Sequence, residues 1–305
     1  MDLKQLVQEM KAEKKLQATF TPDVIKADLI RRVIYKRADY IAQGLQLVGV
    51  QNYGTLDVKY QFPAEMTVDY PVAEGARADR KKTTWTTFYM TMEKAEGSFL
   101  ITDEAIMRQL ENVQYETGVR RLAEALAKKK DDNIIDTLAA GALGNSIAAS
   151  ASWPAAAATS IPKDVTKAID KIMAATGVQP EDIKSMGLVL PYRAWSPLLK
   201  LTEIENIRYQ LADYFNKAWG MTLHPTKNST LVAGKYALLM IKGADTAIHG
   251  VCQPPANVPL VEVKRSSDIA GTEYTVRQFF STKIIPDSAS VTTSTRLCKI
   301  TGVIA

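Results

Sequence analysis

The sequence predicts an α+β protein with a helical N-terminal arm, an extended β-hairpin, one very long helix and an inserted α/β domain. Three observations predict this architecture. Apolar residues recur at helical spacing within residues 2–42, the pattern changes to apolar–polar alternation between Leu56 and Met92, and a helical stripe then continues unbroken to Gly141. After Pro254 the chain returns to strand-like segments.

Composition and charge exclude several classes of protein. The 305 residues are 46% hydrophobic and 23% charged, which is typical of a folded globular chain. No apolar run approaches the ~18 residues of a membrane span, and no apolar stretch follows Met1, so neither a membrane partner nor a secretory signal is expected. The net charge of +5 is too small to require a nucleic-acid-binding function.

The residues that usually carry catalysis are sparse. Cys252 and Cys298 form no CxxC pair, so a zinc ribbon and a disulfide framework are both excluded, and both thiols are expected to be buried. His224 and His249 lack metal-ligand spacing and are expected to be structural. No phosphate-binding loop or GxSxG elbow is present. The sequence therefore predicts no enzyme, no cofactor, no metal site and no catalytic residue.

The first segment reads as two helices. Residues 2–17 have an apolar stripe, and Thr21-Pro22 supplies an N-cap and a first-turn proline for a second helix from Asp23 to Ala42. The second helix is basic, through Lys26, Arg31, Arg32, Lys36 and Arg37. These charges are compatible either with a solvated helix face or with an arm that lies against another subunit or against enclosed anionic material.

A long β-hairpin follows. The alternation of Leu56–Phe62 and of Thr83–Met92 predicts two strands, the second with Phe88, Met90 and Met92 on one face and Trp85 and Tyr89 on the other. The turn-rich tip between the strands carries four basic residues: Arg77, Arg80, Lys81 and Lys82. An isolated two-stranded hairpin is only marginally stable in water, so this one is expected to pack on another surface.

The strongest local signal is a single long helix. Thr102 can cap it, Asp103 and Glu104 suit its positive N-terminal end, and Gly141 closes it. The pattern predicts about 36 helical residues, ~54 Å long. Because its apolar stripe drifts around the axis, a helix laid across a sheet is favoured over a coiled coil.

The remaining segments alternate between helix and strand. The Ala-rich stretch 139–162 reads as a linker or surface loop. Helices are predicted at Lys163–Ala175, Ala194–Leu201 and Ile204–Trp219, and strands at Met186–Leu190, Tyr236–Ile241, Leu260–Val263, Thr272–Ile285 and Arg296–Val303.

This order of elements is similar to that of a known family. The resemblance is carried by Thr83–Met92, Ser98–Ala105, Leu126–Asn133, Tyr274–Phe280 and Arg296–Gly302. Together they resemble the major capsid protein of tailed bacteriophages and related archaeal viruses, whose fold is shared with encapsulins. The resemblance implies an N-terminal arm at 1–53, an extended loop (E-loop) hairpin at 54–96, a peripheral (P) domain at 97–140 and 255–305 with the long helix as its spine, and an axial (A) domain at 141–254.

The resemblance also implies a function. Family members assemble through pentamers and hexamers into an icosahedral prohead and then a virion capsid around double-stranded DNA, in the host cytoplasm, with portal and in some cases decoration proteins. Because the arm begins at Met1, scaffolding is expected to be a separate protein or to be unnecessary. Some relatives form Lys–Asn cross-links, but residues 258–305 contain no Asn, so noncovalent contacts are expected here.

These expectations give hypothetical contact residues. The tip residues Arg77, Arg80, Lys81 and Lys82 are expected to pair with acids on a neighbour's long helix, with Asp103, Glu104 and Glu111 as candidates, or else to be a solvated loop. The basic arm residues are expected on the inner surface, where contact with DNA is nonspecific. The alternatives are an encapsulin-type shell that holds protein cargo, an α/β enzyme built around residues 163–250, and a nucleic-acid-binding module.

Overall fold

A computed structural model describes residues 31–39, 42–63, 85–108, 111–156, 160–174, 178–199, 201–204, 207–253, 260–266, 270–286 and 293–305. The predicted helix over 2–17 and the tip of the predicted hairpin lie outside these residues.

The helices are α1 (31–39), α2 (Asp103–Met107), α3 (Glu111–Gly141, called the spine helix below), α4 (Ser160–Met173), α5 (Tyr192–Trp195), α6 (Leu211–Trp219) and α7 (Ser229–Gly234). The strands are β1 (Val48–Tyr53), β2 (Asp57–Pro63), β3 (Trp85–Thr91), β4 (Glu93–Thr102), β5 (Ser146–Ala148), β6 (Met186–Pro191), β7 (Leu201–Ile204), β8 (Ile207–Gln210), β9 (Thr222–Thr226), β10 (Tyr236–Ile241), β11 (Gly243–Cys252), β12 (Val261–Ser266), β13 (Gly271–Ile284) and β14 (Leu297–Thr301). Short 3₁₀ turns lie at Gly44–Gln46, Pro180–Ser185 and Ser196–Leu199.

The chain divides into two compact units. The first comprises Met1–Gly54, Met92–Ile135 and His249–Ser281, and the second comprises the remaining segments, Thr55–Thr91, Asp136–Ile248 and Thr282–Ala305. The spine helix, β11 and β13 each contribute residues to both units. The four-part division into arm, hairpin and two domains stays a prediction.

The first unit is built on a five-stranded sheet. Its strand order is β1-β11-β13-β12, and β4 pairs antiparallel with β13 from Gly271 opposite Thr102 to Phe280 opposite Glu93. The spine helix approaches β4 closely where glycine leaves room. A Cβ on Gly118 would lie 2.4 Å from the Phe99 ring, so no larger residue fits there without displacing that ring.

The second unit has its own sheet, in the order β5-β14-β10-β6-β9. Every position of β6 and of β10 is buried, which explains why both read as continuous apolar runs rather than as alternating strands. Helix α4 covers the sheet with an apolar face that includes Val165, Ile169 and Ile172. The predicted strands at Met186–Leu190 and Tyr236–Ile241 are confirmed.

The predicted hairpin is confirmed in its strands and in its faces. β2 and β3 pair antiparallel from Asp57 opposite Thr91 to Pro63 opposite Trp85. Phe88 is buried against Ile248 and Ile285, and its ring stacks on Tyr60 with 4.9 Å between ring centroids. The hairpin therefore packs on other residues, as the marginal stability of an isolated pair of strands requires.

Two of the predicted helices are wrong in extent. Thr102 does cap a helix, because its Oγ accepts a hydrogen bond from the Ala105 N–H, but α2 ends at Met107 and the spine helix begins only at Glu111. The break follows Arg108, whose backbone leaves the helical region with φ −87° and ψ 6°. The helix predicted from Ile204 to Trp219 instead contains the strand pair β7–β8 before α6.

The Ala-rich stretch after the spine helix is more ordered than a linker. Within it β5 pairs in parallel with β14, and the Trp153 side chain is fully buried. The buried carboxylate of Asp164, on α4, accepts hydrogen bonds from the Ser150 N–H at 3.0 Å, the Ser150 hydroxyl at 2.5 Å and the Trp153 Nε1–H at 3.4 Å. These bonds fasten the stretch to α4.

Candidate assembly surfaces

The outer face of the hairpin displays two large aromatic side chains. Trp85 is 57% exposed and Tyr89 is 63% exposed, while Phe88 and Met90 on the opposite face are buried. Trp85, Tyr89 and the threonine between them share one face because side chains alternate along a strand. Tyr and Trp are enriched at the energetic centres of protein interfaces, so this face is a candidate contact surface.

The sequence-predicted contact residues are only partly within the described chain. Arg77, Arg80, Lys81 and Lys82 lie outside the described residues, so their predicted pairing stays a prediction. The predicted acceptors fall around the break between α2 and the spine helix, at Asp103, Glu104 and Glu111.

These acceptors differ in their surroundings. Asp103 already forms an ion pair within its own subunit, with 2.9 Å between its carboxylate and Arg265 Nη2. Glu104 is exposed in the first turn of α2, and the side chain of Glu111 is not among those that the structure describes. Of the two acceptors whose side chains the structure describes, Glu104 is therefore the more accessible to a neighbour.

The basic arm is partly described, as helix α1. Arg32 and Lys36 are exposed and Arg31 and Arg37 are half-buried, whereas Lys26 lies outside the described residues. The buried side of α1 consists of Ile34 and Ala38, which pack against residues of the spine helix, Val119, Ala123 and Ala127. Helix α1 is thus amphipathic, with Ile34 and Ala38 buried and Arg32 and Lys36 exposed.

Polar contacts also hold the arm to the first unit. Lys130, on the spine helix, is 1% exposed and forms an ion pair with Asp39 of α1, whose side chain is 53% exposed. The Gly44 N–H donates a 2.7 Å hydrogen bond to Asp131, and the Tyr35 hydroxyl donates to the backbone carbonyl of Arg277. The sequence pattern gave no sign that Lys130 would be buried, because it lies in a Lys-Lys-Lys run that reads as solvated.

Burial shifts the pKa values of two side chains at this attachment. It raises the pKa of the Asp131 carboxyl, although the Gly44 N–H hydrogen bond opposes the shift. It also raises the pKa of the Tyr35 hydroxyl well above its usual range, so this group remains a hydrogen-bond donor at any ordinary pH.

An ion-pair cluster missed by the sequence analysis lies on the first sheet. Arg277 reaches Glu96 at 3.2 Å and Glu262 at 2.8 Å, and Lys94 lies 2.6 Å from Glu96. Hydrogen bonds from Lys94 and Arg277 lower the pKa of the Glu96 carboxyl. The strand register brings these charges together, since Arg277 stands opposite Glu96 in the β4–β13 pair.

A cleft of about 460 Å³ separates the first half of the spine helix from β4. Its lining is mainly apolar and comes from Ser98, Phe99, Leu100, Val113, Gln114, Thr117, Gly118, Arg121, Leu122 and Ala125. The buried amide oxygen of Gln114 has no hydrogen-bond partner among the described residues. The sequence analysis missed this cleft, because it forms between residues that are distant in sequence.

The cysteines and histidines lie in surroundings that are typical of structural residues. Both cysteines are buried, and burial lowers the pKa of His224 to about 4 and of His249 to about 3. Within the described ranges, no three His, Cys, Asp or Glu residues are grouped to hold a metal ion. In the same part of the chain no helix is long and apolar enough to cross a membrane.

Solved structures with the same fold come from viral and related shells. A virus-like particle from Pyrococcus furiosus aligns with a TM-score of 0.61 and 12% sequence identity, covering 89% of this chain and 97% of the other. The capsid of a native GTA particle aligns with a TM-score of 0.61 and 10% identity, covering 86% and 90%. Mycobacterium phage Che8 aligns with a TM-score of 0.56 and 14% identity, covering 82% and 86%. The fold is therefore that of capsid shell proteins.

The sequence itself assigns the family. The family described as Phage capsid protein matches residues 85–293, which is more than half of the chain, so the chain belongs to this family. No curated protein sequence matches. The predicted resemblance and the predicted α+β capsid fold are both confirmed. Membership of this family makes the protein a structural component of a virion capsid.

Proposed function

We propose that this chain is a major capsid protein whose pentamers and hexamers form an icosahedral shell around double-stranded DNA. The observation that carries the proposal is the exposed aromatic face of the hairpin, at Trp85 and Tyr89. Two large aromatic rings left in water on the hairpin are costly in an isolated subunit, and burial on a neighbouring subunit removes that cost.

The first experiment identifies the particle and its content. The purified chain is examined by negative-stain electron microscopy, and the particles are treated with nuclease, deproteinised and analysed for nucleic acid. Closed shells that protect double-stranded DNA support the proposal. Shells that contain protein cargo and no DNA indicate an encapsulin-type compartment, and a monomer or dimer at every concentration contradicts shell assembly.

A matched pair of variants tests the hairpin face. Trp85→Ser with Tyr89→Ser removes both exposed rings, and because neither ring is buried in the subunit, folding is expected to be preserved while the yield of particles falls. Thr87→Ser lies between them on the same face and is the control. Normal particle yield from the double variant would exclude this face as a subunit contact.

The hairpin tip adds an electrostatic contact to the proposal, in which the basic tip lies over a neighbour's α2 and the start of its spine helix, where the candidate acids are. A single exposed ion pair contributes only ~0–1 kcal/mol, so the test reverses all four charges, by changing Arg77, Arg80, Lys81 and Lys82 to Glu. We expect a folded subunit that assembles poorly, most visibly at low salt, where charges are least screened. The control replaces each Arg by Lys and each Lys by Arg at the same four positions, which keeps the charge. Normal assembly of the Glu variant at low ionic strength would show that the tip is only a solvated loop.

The arm and the partners complete the proposal. The exposed Arg32 and Lys36 are placed on the inner surface, where contact with DNA phosphates is nonspecific and weakens with salt. A separate scaffolding protein, a portal protein and, where the shell is reinforced, a decoration protein are the expected partners, and assembly is expected in the host cytoplasm. Cleavage of the arm by protease added to intact, mature particles would contradict the inner location.

A further inference from the structure

The cleft between the spine helix and β4 has the features of a docking groove for an amphipathic helix. Phe99, Leu100 and Leu122 give it apolar walls, and Val113 at its rim is 60% exposed. The buried amide oxygen of Gln114 needs a donor, since buried polar groups in proteins normally have a hydrogen-bond partner. Arg121 adds a positive charge to the lining.

The direction of α1 leads the chain toward this cleft. Ile34 packs near Val119 and Ala123, Ala38 packs near Ala127, and Gly44 contacts Asp131, so α1 runs parallel to the spine helix. Followed backwards from Ile34, the chain therefore heads toward the first turns of the spine helix. Those turns form one wall of the cleft.

The sequence before α1 contains a segment of suitable length and pattern. Leu3, Leu6, Val7 and Met10 form one apolar stripe on the helix predicted over residues 2–17. As a helix these residues would be ~24 Å long, against ~20 Å for the stretch 113–125 that lines the cleft. Residues 18–22, between the two predicted helices, can span up to ~17 Å when extended, which exceeds the ~10–12 Å diameter of a helix and lets the chain turn between them.

The polar residues beside the stripe complement those of the cleft. Glu13 lies on the edge of the stripe and suits Arg121, and Lys14 lies on the stripe's own face and can donate to the Gln114 amide oxygen. We propose that residues 2–17 dock as an amphipathic helix in the cleft between the spine helix and β4 of the same subunit. This inference concerns the single subunit, so it does not depend on shell assembly.

A disulfide test in the full chain measures the docking directly. Leu6→Cys is combined with Thr117→Cys, and the matched control combines Gln5→Cys, on the opposite face of the predicted helix, with the same Thr117→Cys. Both native cysteines are buried, so they interfere little with oxidation of the introduced pair. After mild oxidation, non-reducing electrophoresis and peptide mapping measure the cross-linked fraction.

We expect the Leu6 pair to form an intramolecular disulfide with a yield several-fold above that of the Gln5 pair. Equal disulfide yields from the two pairs would overturn the proposal. A disulfide-linked dimer in place of an internally linked chain would also overturn it, because the cleft would then bind the segment of a neighbouring subunit. As a second readout, Leu6→Asp with Met10→Asp is expected to speed amide hydrogen exchange in residues 98–100 and 113–125. Unchanged exchange there would contradict the docking whatever the particle yield.

Discussion

The two partners of the ion pair between Lys130 and Asp39 differ in burial, so removing one or the other is expected to change the free energy of unfolding by different amounts. Lys130 is almost fully buried, whereas half of the Asp39 side chain is in contact with water. Asp39→Asn therefore leaves a buried ammonium without its counter-charge. Lys130→Met leaves only an exposed carboxylate and places an apolar chain of similar length in the buried site.

The magnitudes follow from the burial of each partner. Removing one partner of a fully buried pair costs ~3–5 kcal/mol, and because water reaches Asp39, about 2–3 kcal/mol is expected for Asp39→Asn. Replacing a buried charge by a well-packed apolar side chain is often neutral, so Lys130→Met is expected to change the free energy of unfolding by less than about 1 kcal/mol. The double variant is expected to resemble Lys130→Met, since the buried charge is absent from both.

Urea unfolding of the unassembled subunit, followed by circular dichroism, measures these differences as shifts of the midpoint at constant slope. His249 provides an independent readout. The Lys130 charge adds to burial in lowering the pKa of this imidazole, so the pKa is expected to rise in Lys130→Met and remain below its usual value. If Lys130→Met destabilised the subunit as much as Asp39→Asn does, the reasoning from one-sided burial would be refuted.

Two further predictions concern packing and pH. Gly118→Ala is expected to reduce the free energy of unfolding by about 1–3 kcal/mol and so lower the thermal unfolding midpoint, because the added Cβ would lie 2.4 Å from the Phe99 ring. Gly54→Ala is the control, since a Cβ at Gly54 would meet no atom within 4 Å. Equal midpoints for the two variants would contradict the close approach at Gly118. Burial holds His249 and His224 neutral in the folded chain down to about pH 3 and about pH 4, whereas the unfolded chain binds protons below its ordinary His pKa of ~6.5. Their contribution to the free energy of unfolding is therefore complete above about pH 6.5 and is lost as the pH falls, by up to ~1.4 kcal/mol per pH unit for each His. His249→Asn is expected to reduce this dependence of the unfolding free energy on pH, measured by urea unfolding from pH 7 to pH 4. An unchanged pH dependence would contradict the prediction.

Local periodicity determined what the sequence could predict. The alternation of Thr83–Met92 correctly assigned both faces of β3, because side chains in a strand must alternate and one face is buried. The cap at Thr102 was equally readable, since its signal lies within four residues. The family resemblance extended these local signals to the whole fold.

What the sequence could not predict depends on contacts between distant residues. The spine helix was expected to begin at Thr102, but the break after Arg108 has no Pro or Gly to mark it. Burial of Lys130 requires Asp39 to approach from α1, and the cleft exists because β4 passes beside the spine helix at Gly118. The hairpin tip, with its four predicted contact residues, lies outside the described residues, so its pairing stays a prediction.

The position of β14 has a consequence for the synthesis of the protein. This strand lies between β5 and β10 in the second sheet, yet Lys299 pairs with Ser146, about 150 residues earlier in the chain. While the ribosome is still translating, β5 has no partner strand and one edge of β10 is open, so the sheet stays in separate pieces until residue 301 emerges. Such long-range pairing slows folding, and open edges invite aggregation. Subunits whose synthesis stops before β14 thus lack a complete second sheet, and the second unit is complete only after translation has passed this strand.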